Sequence, residues 1–162
     1  MNPAGTRRSV LRVSVAAAAA ALWPLRAGAS GAVPSLPRPA SLQAEIARAG
    51  ARRKSLVLMV SLEGCPYCKL VRESYLLPLR AEGQPVVQIE LNLPAPVADP
   101  QGRPTTHEQL VREWNVRVAP TLLFLGRGGA ELAPRLVGVG NPDFYGAYLD
   151  QRIETANRAA AG

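Results

Sequence analysis

The sequence predicts an α/β domain: a mixed central sheet of about four strands, flanked by helices. Three observations carry this. Two short apolar runs, Ser55 to Ser61 and Thr121 to Leu125, have the unbroken hydrophobicity of strands covered on both faces. Segments of helical period separate the strands, which calls for a right-handed βαβ crossover. The glycine-rich turn Gly126-Arg127-Gly128-Gly129 joins two late strands as an antiparallel hairpin.

Taken in order, Ser41 can cap a helix through about Ala51, with Leu42 and Ile46 on one face. The strand Ser55 to Ser61 follows. Pro66 then opens a helix to about Leu77, in the first turn, where its missing N–H costs nothing, and Pro78 ends or kinks that helix. In the next strand, Val86 to Asn92, Val87, Ile89 and Leu91 alternate with Gln88 and Glu90. Thr106 caps a helix from His107 to about Trp114. Ala119-Pro120-Thr121 leads into the strand Thr121 to Leu125, and its hairpin partner is Arg135 to Val139. Asn141-Pro142-Asp143 opens the last helix, whose i, i+4 pairs Phe144 with Tyr148 and Tyr145 with Leu149 are expected in the core.

The first 29 residues read as an export signal. Thr6-Arg7-Arg8-Ser9-Val10-Leu11-Arg12 is a basic region of twin-arginine type, Val13 to Leu25 is a weakly apolar run, and Ala27-Gly28-Ala29 is a small-x-small site, with cleavage expected after Ala29. The apolar run has 13 residues and contains Pro24, short of the ~20 that span a bilayer, so a cleaved signal is expected rather than an anchor. Residues 30–40, with Pro34, Pro37 and Pro39, read as a tether, and residues 41–158 as the folded domain. Arg7, Arg8, Arg12 and Arg26 leave with the signal and no acid does, so the net charge falls from +7 to +3. That charge gives no reason to expect a nucleic-acid partner, and Arg52-Arg53-Lys54 reads as a solvated helix end. Export places the mature, soluble chain in the periplasm, where a neighbouring dithiol is oxidised unless a partner supplies electrons.

Cys65 and Cys68 are the only cysteines, with two residues between them after a strand, and they begin a helix. Unpaired N–H groups of a first helical turn favour a thiolate at the first sulfur. A purely structural disulfide would close too short a loop to stabilise much. A closed zinc site needs four ligands, and only His107 could join the two sulfurs. A two-sulfur Cu(I) site remains open, since soft thiolates select that ion. No resident metal or cofactor is expected.

With these residues placed, residues 41–158 resemble the thioredoxin superfamily. Glu63-Gly64-Cys65-Pro66-Tyr67-Cys68-Lys69 is similar to its active-site loop, and Trp114-Asn115-Val116-Arg117-Val118-Ala119-Pro120-Thr121-Leu122 to the stretch leading into its cis-proline loop. Ala98-Asp99-Pro100-Gln101-Gly102-Arg103-Pro104-Thr105-Thr106 is closest to exported bacterial thioredoxin-like proteins of the sulfur-oxidation (SoxW) type. The resemblance implies a thioredoxin-like fold and a disulfide reductase. Cys65 would attack, Cys68 would resolve, Pro120 would be cis and face them, and the Ala119 backbone would pair with an extended substrate. Pro66, Tyr67, Lys69 and Glu63 would tune the pair. Protein or small-molecule disulfides would be the substrates, and a membrane electron donor would re-reduce the site. The alternatives are an oxidase or isomerase of secreted proteins, and a Cu(I) metallochaperone using the same sulfurs. Many thioredoxins carry a buried aspartate six residues before the first cysteine; here that residue is Met59, so the Cys68 proton must leave another way. The long connection Leu93 to Thr106, with four prolines, is expected to lie beside Cys65 as a wall, with Arg103 steering acidic partners.

Overall fold

The computed structural model describes residues 35–162; the signal and the first part of the tether lie outside the described residues. Among the described residues six strands form two sheets. The main one has the order β2-β1-β5-β6, built from β1 (Leu56–Ser61), β2 (Val86–Glu90), β5 (Thr121–Leu125) and β6 (Glu131–Val137). β1 and β2 are parallel, with Met59 beside Gln88 and Ser61 beside Glu90. β5 runs antiparallel to β1, and β6 antiparallel to β5. This is the expected mixed, four-stranded α/β sheet flanked by helices.

Alternation along β1 divides the core in two. Val57 and Met59 face a cluster formed with Cys68, Val71 and Leu76 on one side and Tyr145, Leu149 and Ile153 of α5 (Pro142–Ala161) on the other. Leu56, Leu58 and Val60 face the opposite cluster, under α1 (Leu42–Ala51) and α4 (His107–Glu113). All six residues of β1 are buried, as a strand covered on both faces requires.

Several expectations need correction. The helix that begins at Pro66 does not stop near Leu77. It passes from α2 (Pro66–Val71) through a π turn, Arg72–Leu76, into α3 (Leu77–Ala81). The wider turn comes directly before Pro78, which has no N–H for the α-helical ladder. β6 starts at Glu131 rather than Arg135 and tolerates Pro134 because it is an edge strand with shifted register against β5. Of the aromatic residues on α5, Tyr145 is buried, whereas Phe144 and Tyr148 are exposed. They lie on the side of the helix away from the sheet, where a helical period alone gives no burial.

The expected tether also packs, over residues 35–40. Leu36 is buried in the first cluster, the Pro37 carbonyl accepts the Gln88 N–H at 2.9 Å, and Ala40 accepts from Ala98. The outer edge of β2 is therefore covered by chain that its proline content marked as linker. Further along that edge the Glu90 N–H donates to Nδ1 of His107 at 3.2 Å, which satisfies a second edge donor. Burial, followed by the nearby Arg38 charge, pushes the His107 pKa down and keeps the ring in the neutral form that this bond needs.

The long connection after β2 is not structureless, and only its start lies beside Cys65, where Leu93 lines the same cavity. It folds into a small hairpin of β3 (Pro96–Ala98) and β4 (Pro104–Thr106), with Val97 buried in the second cluster. Its tip reaches the 126–129 turn, where the Gln101 side chain donates to the Gly128 carbonyl at 2.8 Å. That turn follows Leu125, which pairs with Leu56 at the start of β1, so the tip lies at the sheet edge opposite the cysteines. Arg103 is held by Asp99 rather than facing a partner approaching Cys65.

Candidate functional site

The chain leaves β1 at Ser61 and turns through Leu62, Glu63 and Gly64. Gly64 has φ +74°, a left-handed conformation that side chains strain, which explains glycine directly before Cys65. Cys65 is the N-cap of α2, with extended backbone, and Pro66 occupies the first turn. The Cys65 sulfur accepts the Cys68 backbone N–H at 3.1 Å, taking the place of a capping oxygen.

Both cysteines are free thiols, Cys65 half-buried and Cys68 1% exposed. Burial is the main reason the Cys68 thiol is pushed up from 9.0 to about 11, with further upward contributions from the hydrogen bond and charge of Cys65. The Leu62 backbone and the Ser61 hydroxyl act in the opposite direction. One sulfur is thus accessible and tied to a helix end, while the other is enclosed and protonated at neutral pH.

The β5 entry completes the site. The Ala119–Pro120 peptide is cis, and the Ala119 carbonyl lies 3.9 Å from the Cys65 sulfur, which donates to it. Thr121 Oγ1 donates to the Val118 carbonyl at 2.7 Å and the Gly138 N–H to the Pro120 carbonyl at 2.8 Å, so the loop is fixed at both ends. Glu63, Pro66, Tyr67 and Lys69 are exposed around Cys65. Of these, Glu63, Pro66 and Lys69 line a cavity of about 970 Å³ that also takes in Cys65.

The far wall of that cavity is polar, and it is the part of the site that sequence reasoning missed. Arg72 donates through Nε to Gln88 at 2.9 Å and through Nη2 to the Ser61 hydroxyl at 2.9 Å. Gln88 in turn donates to Glu90 Oε1 at 2.8 Å, and Arg38 meets the same oxygen at 3.3 Å. Glu90 Oε2 is buried without a partner. The alternation of Gln88 and Glu90 with apolar residues was visible in the sequence; that both would be only 2% and 8% exposed, under an arginine from the π turn before β2, was not.

His107 stands apart from the sulfurs as a β2-edge acceptor. Among the described residues, no three His, Cys, Asp or Glu side chains gather as a metal site of that size requires, a test that does not bear on a two-sulfur Cu(I) site. No helix of the described residues is long and apolar enough to cross a membrane.

No curated protein matches the chain by sequence. Among solved structures, a thioredoxin from Thermus thermophilus is 21% identical, with 78% of this chain and 90% of that one covered and a TM-score of 0.49. Thioredoxin NaTrxh from Nicotiana alata is 18% identical, covering 74% and 97%, with a TM-score of 0.48. The periplasmic thioredoxin SoxS from Paracoccus pantotrophus is 24% identical, covering 64% and 99%, with a TM-score of 0.42. The family model described as a thioredoxin-like domain matches residues 42–153, from the first turn of α1 into α5, and so contains the whole main sheet and the cysteine pair. The chain belongs to the thioredoxin-like family.

Proposed function

We propose that this protein is an exported thiol–disulfide oxidoreductase that works as a disulfide reductase. The observation that carries the reading is the asymmetry of the pair: Cys65 is partly exposed at a helix N-cap, and Cys68 is enclosed behind it. The Cys65 thiolate attacks a substrate disulfide, forming a mixed disulfide and expelling one substrate sulfur as a thiolate. Cys68 then loses its proton and displaces the second substrate sulfur, leaving a Cys65–Cys68 disulfide and a reduced substrate. Two electrons from a membrane-bound dithiol donor restore the pair. Ala119 and Pro120, facing Cys65, would hold an extended substrate segment by its backbone.

The direction follows from chemistry. A strong oxidant needs an exceptionally stabilised reduced form. Pro66 and Tyr67 between the cysteines supply no cation, and Lys69, which follows the second cysteine, is exposed to solvent. Arg7-Arg8, the apolar run and Ala27-Gly28-Ala29 support export to the periplasm with cleavage after Ala29, and the segment Ala98 to Thr106 supports a role like that of the sulfur-oxidation (SoxW) type.

Equilibrating the chain in glutathione redox buffers tests the direction. A potential between about −180 and −270 mV is expected, and one near about −120 mV would overturn the reductase reading in favour of an oxidase. Stoichiometric Cu(I) on chain isolated anaerobically, with no insulin-reducing activity, would overturn both in favour of copper delivery. The N-terminal sequence of protein recovered from the periplasm should begin at Ser30.

A further inference from the structure

Resolving a mixed disulfide requires Cys68 to become a thiolate inside the protein, and no carboxylate touches it. Its neighbours along this face of β1 are Met59, fully buried and apolar, and Ser61, fully buried and polar. Ser61 shares the face of β1 with Val57 and Met59, which pack against Cys68, and its hydroxyl works against the upward push of burial on the Cys68 thiol. That hydroxyl accepts from Arg72 Nη2 at 2.9 Å, which leaves its single proton free to point at sulfur. Arg72 cannot swing away, because its Nε is bound to Gln88, and Gln88 is bound to Glu90. Arg72 thus donates to Ser61, and Ser61 stands on the strand face turned to Cys68.

We infer that Ser61, backed by the Arg72 guanidinium, is the positioning group that stabilises Cys68 as a thiolate during resolution, in place of a buried acid. The inference rests on the reductase reading above and names how its second step is achieved. With Cys68 protonated, Ser61 can accept the S–H. When the proton leaves, the hydroxyl turns and donates to the thiolate, while Arg72 supplies the opposite charge one bond behind it. The proton passes to water in the cavity that Ser61 and Arg72 both line, and the departing substrate thiolate takes one up, so no net proton is consumed. The other ionisable groups facing Cys68 are Cys65 from its own helix and Tyr145 from α5, whose ring meets Tyr75 at a tilt of 59° and whose phenol has no hydrogen-bond partner. Glu90 acts at a distance, by holding Gln88 and through it Arg72.

Reaction of the reduced chain with the aromatic disulfide dithiobis(nitrobenzoate) separates the steps. The first nitrothiobenzoate is expelled by Cys65 and the second by Cys68, and stopped-flow absorbance reads both. In Ser61→Ala the ratio of second-phase to first-phase rate constants should fall by about tenfold or more at neutral pH, since a hydrogen bond to a charge is lost. The pH midpoint of the second phase should move upward. Ser61→Thr, which keeps the hydroxyl, should restore ratio and midpoint. Arg72→Met, which keeps the hydroxyl and removes the cation, should also raise the midpoint. A ratio within about twofold of the wild type in Ser61→Ala, or a Thr variant as slow as the Ala variant, would overturn the role of the hydroxyl. An unmoved midpoint in Arg72→Met would overturn the role of the cation. Absence of a first phase in the wild type would instead count against Cys65 as attacker, and so against the underlying reading.

Discussion

The Cys65 sulfur accepts the backbone N–H of Cys68 at 3.1 Å, so the group that enters α2 with the second cysteine also holds the first. The two thiols therefore differ in environment although they are only three residues apart. Cys65 is bound by the helix end at the surface, and Cys68 is carried one turn inward, into the core with Val71 and Tyr145.

Trapping experiments should register this difference. Cys68→Ala leaves an accessible attacker with no resolver, and it should accumulate mixed disulfides with partner proteins on non-reducing gels. Cys65→Ala leaves a buried thiol and should accumulate few. Equal trapping by both variants would contradict the assignment.

The buried thiol also predicts a pH dependence of stability for the reduced protein. The Cys68 pKa is raised from 9.0 to about 11, mainly by burial, so the folded state holds a proton that the unfolded chain releases. Its contribution is fully present below about pH 9 and is lost as the pH rises through about 11. Urea unfolding at pH 7 and pH 10 should show a larger loss for the reduced wild type than for Cys68→Ala or for the disulfide form, neither of which carries this thiol. Equal losses in all three would place the proton elsewhere.

Tyr145 offers a prediction of opposite sign. Its ring is 2% exposed and lies 5.1 Å from the Tyr75 ring, but its hydroxyl is buried with no partner, and burial pushes the phenol pKa up. Removing an unsatisfied buried hydroxyl while keeping the ring removes a desolvation penalty of about 1–3 kcal/mol. Tyr145→Phe should therefore leave the melting temperature unchanged or raise it, whereas Tyr145→Ala, which opens a cavity, should lower stability by about 3–5 kcal/mol. A clear loss on the Phe change would mean that the hydroxyl has a partner, such as buried water.

The parts of this fold that could be read from sequence are those fixed by neighbours along the chain. The apolar β1, the loop, the capping Cys65 and the proline of the first turn all lie within residues 55–68, and local spacing specifies them. What escaped reading depends on contacts between distant segments. Gln88 and Glu90 show the alternation of a half-exposed strand, and only Arg72 from the π turn after α2 and Arg38 from the N-terminal segment turn that polar face into a buried one. Asn157, unremarkable near the end of α5, fastens Ser55 and Gln84 at the far edge of the sheet with bonds of 2.9 to 3.0 Å. The prolines of residues 35–40 indicated an extended chain, correctly as to conformation, but extended chain can cover a strand edge as readily as hang in solvent.

The hairpin after β2 gives the last prediction, and it reverses the one its length suggested. Asp99 is the organiser: Oδ1 accepts the N–H groups of Gln101 and Arg103 at 2.8 and 2.9 Å, and Oδ2 accepts Arg103 Nε at 2.6 Å. Burial works against the charged carboxylate, but these bonds from the Arg103 backbone and side chain outweigh it and hold the Asp99 pKa below the ordinary 3.8. The sign follows directly. The contribution is complete above about pH 3.8 and fades as the pH falls through the lower folded value. Asp99→Ala should loosen the turn at neutral pH, seen as faster amide exchange over residues 97–105, and should flatten the acid limb of the stability curve. Because the tip meets Gly128 at the edge opposite Cys65, the same variant should leave the relative rates toward a small disulfide and a protein disulfide unchanged, as should Arg103→Gln. A change in that ratio in either variant would bring the hairpin back to the substrate path, which the contact between Gln101 and Gly128 opposes.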